Sequence, residues 1–194
     1  MATGSPLTDC IASRLISAEK AFSLEAMGRD SAVLIPFRPQ SDGSLTVVFT
    51  KRRDDLPRHA GEISFPGGRA DDEDADLLAT ALRETDEELG IPVSSVTVIG
   101  ALAPISTFVT DFAVYPFVGL VPADVELVPH EGEVHSVIEV ALEKLVEIRE
   151  RRELVRSGIT FTTEAFELDE GLVWGATGRM LGLLLDRIDD CLKN

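Results

Sequence analysis

The sequence of 194 residues contains only two cysteines and no long uncharged apolar run. Cys10 and Cys191 lie near opposite ends of the chain without a Cys-x-x-Cys spacing, so we expect neither a disulfide scaffold nor a cysteine-based zinc site. No apolar run approaches the roughly 18–20 residues that span a bilayer, and the first residues lack the basic-then-apolar pattern of a secretion signal. These absences favour a cytoplasmic protein.

Positive charge is also scarce, since 18 basic residues stand against 34 acidic ones and the formal net charge is −16. Affinity for nucleic acids and for anionic membranes rests mostly on lysine and arginine, so we predict neither as a partner. Several arginines nevertheless fall between residues 52 and 83. Such a local cluster is suited to a small phosphorylated ligand.

Composition and patterning indicate one domain over residues 1–194, because apolar residues make up 44% and no repeat or Gly/Ser-rich linker divides the chain. Strands and helices mix without regular alternation, which favours an α+β fold over a doubly wound parallel sheet. Periodicity predicts helices over residues 7–27, 76–89, 142–151 and 177–192. Strands are predicted over residues 32–37, 45–50, 62–65, 96–102, 113–120, 136–140, 161–168 and 172–174.

One stretch concentrates acidic side chains at helical spacing. On the predicted helix 76–89, Glu88 lies about 40° from Glu84, and Glu87 lies about 60° from it on the other side. The three carboxylates therefore share one face, where like charges destabilise a helix by roughly 0.2–0.5 kcal/mol per pair. Hard oxygen ligands of this kind suit Mg²⁺ or Mn²⁺, although an E-x-x-E-E run taken alone is more often a solvated acidic face.

A glycine turn just before this helix favours the metal interpretation. Gly67 and Gly68 follow a short predicted strand, and glycines let the backbone turn tightly and offer a bare carbonyl oxygen. Arg83 is placed to orient the neighbouring Glu84 through a bidentate pair. We therefore expect the Gly68 carbonyl near the three glutamates, in a cation cage made of oxygen atoms.

The segment from Gly68 onward resembles the signature box of the Nudix hydrolase family, G-x5-E-x7-R-E-U-x-E-E-x-G-U, in which U is aliphatic. Its second half is present as RETDEELGI, with Thr85 at an aliphatic position. In its first half, Asp74 replaces glutamate, and eight residues rather than seven separate it from Arg83. This expanded loop with an aspartate is similar to the coenzyme A diphosphatase branch of the family. The role of the first acid is left open by these departures.

Flanking residues extend the resemblance to that branch. The motif T-x-R-S/A-x3-R-x3-G-x3-F-P-G-G is matched over residues 50–68, except that Arg53 replaces a small residue and Pro57 replaces an arginine. Arg58, one residue later, is a candidate to supply the missing charge. Residues 133–140 and the segment VWGAT over residues 173–177 are also similar. The likeness covers roughly residues 32–186, with the box itself at 68–91.

The resemblance implies a Nudix fold, in which a mixed β-sheet is sandwiched between helices, and hydrolysis of a nucleoside diphosphate with Mg²⁺ or Mn²⁺. It implies metal ligation by the Gly68 carbonyl and the three box glutamates, with Arg83 holding the carboxylate geometry. A carboxylate of this cluster or of a later loop must accept a proton from water, and Glu133 is the later candidate. For contacts with the substrate phosphates, the candidates are Arg52, Arg58 and His59.

Three functions remain open at this point. The first is hydrolysis of coenzyme A or acyl-coenzyme A to 3′,5′-ADP and a 4′-phosphopantetheine. The second is a Nudix pyrophosphatase for ADP-ribose, NADH or nucleoside triphosphates, which the departures at Arg53 and Pro57 keep open. The third is a catalytically silent ligand-binding module, which the intact set of Glu84, Glu87 and Glu88 disfavours. The expected partner is a small nucleotide-diphosphate substrate, and either a monomer or a homodimer is compatible with the sequence.

Overall fold

The computed structural model describes residues 5–56, 59–107, 111–156 and 158–193. The helices are α1 (Pro6–Arg14), α2 (Ala18–Phe22), α3 (Leu77–Leu89), α4 (Leu142–Ile148) and α5 (Gly175–Leu192), and a short 3₁₀ helix covers Val93–Ser95. The strands are β1 (Arg29–Pro39), β2 (Leu45–Arg52), β3 (Ile63–Ser64), β4 (Gly67–Arg69), β5 (Thr97–Ala101), β6 (Ile105–Ser106), β7 (Phe112–Leu120), β8 (Val134–Ala141), β9 (Arg149–Arg156), β10 (Ile159–Leu168) and β11 (Gly171–Val173).

The larger sheet is mixed, and helices cover both of its faces. Its strands run in the order β3-β2-β1-β7-β5, while β4 pairs with β1, β6 with β7 and β8 with β2. Only β1 and β7 are parallel among these described pairs. Leu34 of β1 belongs to the core cluster that includes Ala81 of α3 on one face, and the next residue, Ile35, belongs to the cluster that includes Leu184 of α5 on the other. The predicted α+β class, with a mixed sheet between helices, is confirmed.

A smaller antiparallel sheet, in the order β11-β10-β9, packs against α5. Here the prediction of a helix over residues 142–151 is wrong in its second part, because the helix ends at Ile148 and the chain continues as β9. Arg149 explains the change, since its guanidinium donates hydrogen bonds to Glu164 of β10 and Asp186 of α5. These partners are distant in sequence, so helical periodicity alone could not reveal them.

The predicted N-terminal helix over residues 7–27 is also wrong, because two short helices, α1 and α2, replace it. Between them, the backbone of Ile16 exchanges two hydrogen bonds with Ala101 at the edge of β5, at 2.8 and 3.1 Å. Gly100 makes room for this approach, because a Cβ atom there would lie 2.5 Å from the Leu15 side chain. Ser17 then caps α2 by accepting a hydrogen bond from the Lys20 amide.

A disulfide joins Cys10 of α1 to Cys191 of α5, which corrects the expectation that the two cysteines form no disulfide scaffold. The residues are 181 positions apart in sequence, but their Cα atoms are 5.8 Å apart because α1 packs along α5. Ile11 and Ile188 are fully buried on these two helices. Sequence spacing carries no sign of this helix pairing, so the bond could not be predicted from it.

The other predicted elements are present with shifted ends. The strands predicted at 32–37 and 45–50 pair with each other as β1 and β2, and β3 lies inside the predicted strand 62–65. Strand β4 was not predicted, since its two glycines favour a loop; pairing with β1 holds it extended. Among the described residues, no helix is both long enough and apolar enough to cross a membrane.

Candidate active site

Helix α3 places the three box glutamates where the spacing predicts them. Asp76 caps its first turn by accepting a hydrogen bond from the Ala79 amide at 2.8 Å, and Gly90 ends it in the left-handed conformation, with φ 64°. Its inner face buries Ala81, Thr85 and Leu89. Thr85 replaces an aliphatic residue without leaving a polar atom unsatisfied, because its hydroxyl donates to the Ala81 carbonyl at 2.7 Å.

Gly68 lies directly against the first of these glutamates. Strand β4 pairs antiparallel with β1 and sets Gly68 opposite Ala32, so that its Cα faces helix α3. A Cβ atom on Gly68 would lie 2.5 Å from both carboxylate oxygens of Glu84, so any other residue here would force the Glu84 carboxylate to move. The proximity between the glycine turn and the glutamates that the sequence predicts is therefore present.

Arg83 holds several carboxylates of the site at once. Its guanidinium donates to both oxygens of Asp74, at 2.9 and 3.0 Å, and to Glu84 and Glu87, at 2.9 and 3.1 Å. Asp74 also accepts a hydrogen bond from the Thr80 hydroxyl at 2.8 Å. The hydrogen bonds from Arg83 hold the pKa of Asp74 well below its usual range. The first acid of the box, whose role the sequence left open, thus anchors the arginine that orients the glutamates.

Glu88 is the most buried of the three glutamates, with 7% of its surface exposed. Its Oε1 atom lies 3.9 Å from a guanidinium nitrogen of Arg52, and its Oε2 atom has no hydrogen-bond partner among the described residues. Burial, supported by the negative charges of Glu84 and Glu133, raises the pKa of Glu88 to about 8, although Arg52 opposes the shift. Burial also raises the pKa of Glu84.

Within the described part of the chain, no three His, Cys, Asp or Glu side chains converge as a ready-made metal site. The ion pairs give the physical reason. Arg83 holds Glu84 and Glu87, and Arg52 lies between Glu88 and Glu133, 3.9 and 3.7 Å from them. The carboxylates are therefore turned toward guanidinium groups.

The residues nevertheless fit a hard divalent cation. A buried carboxylate oxygen of Glu88 has no hydrogen-bond partner, and the neighbouring carboxylates repel one another. Because Gly68 has no side chain, its strand backbone lies directly beside the Glu84 carboxylate. Carboxylate oxygens and backbone carbonyl oxygens are the ligands that Mg²⁺ and Mn²⁺ bind. Assignment of Gly68, Glu84, Glu87 and Glu88 as the ligands stays a prediction.

The predicted substrate contacts are only partly brought to this site. Arg52 reaches it, but its guanidinium faces Glu88 and Glu133. The His59 ring forms a 2.6 Å hydrogen bond with Glu62, which makes it part of the loop after β2. Arg58 lies outside the described residues, so its contact with a phosphate stays a prediction.

Arg53 has a structural role that the sequence signalled only as a departure from the motif. Its side chain forms a bidentate pair with Asp55, at 2.7 and 2.8 Å, and donates to the Glu131 carbonyl at 2.7 Å. Its backbone amide donates to the carbonyl of Glu133 at 3.1 Å. Arg53 therefore ties the loop after β2 to the turn that carries Glu133. A small residue at this position would make only the backbone contact.

Comparison with known proteins places this site in a family. The model of the NUDIX domain matches residues 27–158. The chain is 36% identical over 167 residues to an uncharacterized Nudix hydrolase, NudL, of Yersinia pestis, covering 84% of this chain and 81% of that protein. NudL of Yersinia pseudotuberculosis matches equally well.

Solved structures agree on the fold. A MutT/nudix family protein from Enterococcus faecalis superposes with a TM-score of 0.57 at 12% identity, over 98% of this chain and 76% of that one. The Nudix hydrolase RenU from M. smegmatis gives a TM-score of 0.52 at 17% identity, over 64% and 76%. The family model, the relatives and the helix bearing Glu84, Glu87 and Glu88 lead to one conclusion: this chain belongs to the Nudix hydrolase family.

Proposed function

We propose that this Nudix hydrolase cleaves the diphosphate linkage of coenzyme A or acyl-coenzyme A. Water is added across the P–O–P bond, and the products are 3′,5′-ADP and (acyl-)4′-phosphopantetheine. The observation that carries the proposal is the segment 50–68, which resembles the coenzyme A diphosphatases and contributes residues near its two ends to the carboxylate site. Its first part places Arg52 beside Glu88, and its last residue, Gly68, abuts Glu84.

The residues of the site have different roles in the proposed reaction. We propose that Mg²⁺ or Mn²⁺ is held by Gly68, Glu84, Glu87 and Glu88. The cation would neutralise the negative charge of the diphosphate and would lower the pKa of a bound water. Arg83 keeps Glu84 and Glu87 in a fixed orientation through its hydrogen bonds to both.

A carboxylate must also accept the proton that the attacking water loses. Glu133 is our candidate, because its carboxylate faces Arg52 at 3.7 Å and lies at the rim of the site, more exposed than Glu88. Glu88 stays the alternative acceptor within the cluster. Glu133→Gln should therefore lower kcat while leaving the affinity for Mn²⁺ close to that of the unchanged protein.

A Nudix pyrophosphatase of other specificity is the second candidate, and a specific observation favours it. Two described arginines of this segment already face carboxylates: Arg52 faces Glu88 and Glu133, and Arg53 is paired with Asp55. A 3′-phosphate, which coenzyme A has and ADP-ribose lacks, would have to compete with these acids. Arg58 is our candidate for that contact.

A hydrolysis panel with identification of the products separates these candidates. Coenzyme A, 3′-dephospho-coenzyme A, ADP-ribose, NADH and dGTP are each incubated with the protein and Mg²⁺ or Mn²⁺. We expect coenzyme A or a short acyl-coenzyme A to be the best substrate and to release 3′,5′-ADP. Rapid turnover of ADP-ribose with none of coenzyme A would move the enzyme to the second candidate.

The variant Arg58→Ala tests whether Arg58 binds the 3′-phosphate of coenzyme A. A charge-assisted contact contributes roughly 1.5–3 kcal/mol, so KM for coenzyme A should rise at least about ten-fold more than KM for 3′-dephospho-coenzyme A. Arg187→Ala on α5, outside the carboxylate site, is the matched control. Equal effects on both substrates would show that Arg58 does not bind the 3′-phosphate.

A further inference from the structure

Strands β9 and β10 form a two-stranded arm whose tip exposes apolar side chains. At the base of the arm, Ala165 and Phe166 are fully buried. Toward its tip, Val155 is 70% exposed and Ile159 is 68% exposed. Phe161 contacts Trp174 on one face of the arm, with ring centroids 6.1 Å apart, whereas Val155 on strand β9 stays exposed on the other face. A surface placed against β9 would cover Val155.

The outer edge of the arm is also unpaired. The small sheet has the order β11-β10-β9, so β9 (Arg149–Arg156) pairs only with β10 among the described strands. An edge strand of this length presents a row of backbone amide and carbonyl groups to a further strand. The residues that flank this edge decide which strand it accepts.

The charges along β9 are complementary to those of the same strand running in the opposite direction. Its sequence is RERRELVR. The side chain of Arg151 is 76% exposed, and among the described side chains it forms one ion pair, with Glu164 at 3.9 Å. Glu153 is exposed and has no ion-pair partner among the described side chains. Directly opposed charges of opposite sign stabilise neighbouring antiparallel strands, whereas like charges destabilise them.

We propose that two copies of this chain associate through β9, which pairs antiparallel with itself about a two-fold axis perpendicular to the sheet. With Arg152 opposite Arg152 of the second copy, each Arg151 faces a Glu153, and each Val155 is covered by the stem of an Arg149. A shift of the axis by one residue in either direction would set Arg151 or Glu153 opposite itself.

The central arginine tolerates this pairing because its charge is already compensated. Arg152 forms ion pairs with Glu150 on its own strand and with Glu167 on β10. Like-charge repulsion between the two copies of Arg152 is therefore weakened. The two arms together form one continuous six-stranded sheet, since each copy contributes β9, β10 and β11.

Cysteine cross-linking tests the register. Opposed residues of antiparallel strands have Cα atoms about 4.5–5.5 Å apart, within the range of a disulfide. Arg152→Cys should therefore give a covalent dimer on a non-reducing gel under mild oxidation. Thr162→Cys, exposed on β10 but away from the edge, is the matched control and should stay monomeric on the same gel. Equal yields from the two variants would overturn the register.

Charge reversal tests the interface itself by sedimentation equilibrium. Arg151→Glu and Glu153→Arg should each raise the dimer dissociation constant at least about ten-fold, and the double variant should return it to within about three-fold of the unchanged protein. Circular dichroism checks that each variant is folded, and Lys144→Glu on α4 is the matched control. A monomeric unchanged protein at 100 µM, or a double variant no better than the single ones, would overturn the proposal.

Discussion

At the scale of the residue, the carboxyl group of Glu88 lies in the least solvated part of the site. One of its oxygens faces Arg52 at 3.9 Å, and the other has no hydrogen-bond partner among the described residues. Burial raises the pKa of Glu88 to about 8 because water no longer solvates the charged form. In the protein without metal, the Glu88 carboxyl group therefore tends to bind a proton, whereas we propose that it binds a cation in the active enzyme.

This burial predicts a pH dependence of stability for the metal-free protein. The folded state holds the Glu88 proton more tightly than the unfolded state, whose reference pKa is 4.5. The stabilising contribution is complete below about pH 4.5 and is lost as the pH rises through about 8. We expect the free energy of unfolding in EDTA to fall by an amount on the order of 3 kcal/mol between pH 5 and pH 9.

Urea denaturation at both pH values measures this loss. Glu88→Gln is the matched variant, because it keeps the size of the side chain and removes the titrating group. The difference in unfolding free energy between pH 5 and pH 9 should be smaller in the variant by that amount. The same difference in both proteins would contradict the assignment of the raised pKa to Glu88.

At the scale of the element, local rules predicted helix α3 well and failed where distant contacts decide. The cap residues Asp76 and Gly90 and the apolar spacing of the inner face of α3 are short-range signals, and the helix begins and ends where they indicate. The end of α4 and the break between α1 and α2 depend on partners far away in sequence, namely Asp186 for Arg149 and Ala101 for Ile16. No local sequence pattern within these segments indicates such distant partners.

As with the helices, the parts of the site that depend on local sequence could be predicted, and the parts that depend on loop contacts could not. The glutamates and the nearness of Gly68 follow from one continuous motif, since helix geometry and a tight turn fix them. The pairing of Asp74 with Arg83 and the tie made by Arg53 depend on how loops fold back on the helix. Loop paths are set by tertiary contacts, which residue spacing does not encode.

The anchoring of Arg83 by Asp74 predicts a measurable loss of activity. Asp74→Asn removes the charge that holds the guanidinium, so Glu84 and Glu87 lose their fixed orientation. We expect kcat on the best substrate of the panel to fall about ten-fold, with KM within about two-fold. Asp72→Asn, an exposed change in the same loop, should leave kcat unchanged. Equal activities of the two variants would show that Asp74 does not act through Arg83.

At the scale of the whole molecule, a disulfide joins two helices that are far apart in sequence. It joins α1 to α5 across 181 residues, where Arg187 also donates a hydrogen bond to the Arg14 carbonyl at 3.2 Å. A cross-link over so long a loop restricts the unfolded chain strongly in the chain-entropy account. The two helices on either side of the bond cover one face of the larger sheet.

Reduction of this bond should therefore lower the melting temperature. A native disulfide typically contributes about 2–4 kcal/mol, which corresponds to roughly 5–15 °C in a domain of this size. Calorimetry with and without a reductant measures the shift. The double variant Cys10→Ser, Cys191→Ser should melt at the reduced temperature and ignore the reductant. A melting temperature that reduction leaves unchanged would show that the bond does not stabilise the fold.

We propose that the charges of Glu87 and Glu88 hold the divalent cation used in hydrolysis. The most direct test is kcat with Mg²⁺ or Mn²⁺ for the unchanged protein, Glu87→Gln and Glu88→Gln, on the best substrate of the panel. We predict that each substitution lowers kcat at least about 10²-fold while the fold is retained, and that EDTA abolishes the activity of the unchanged protein. Full activity of Glu88→Gln in EDTA would contradict the account.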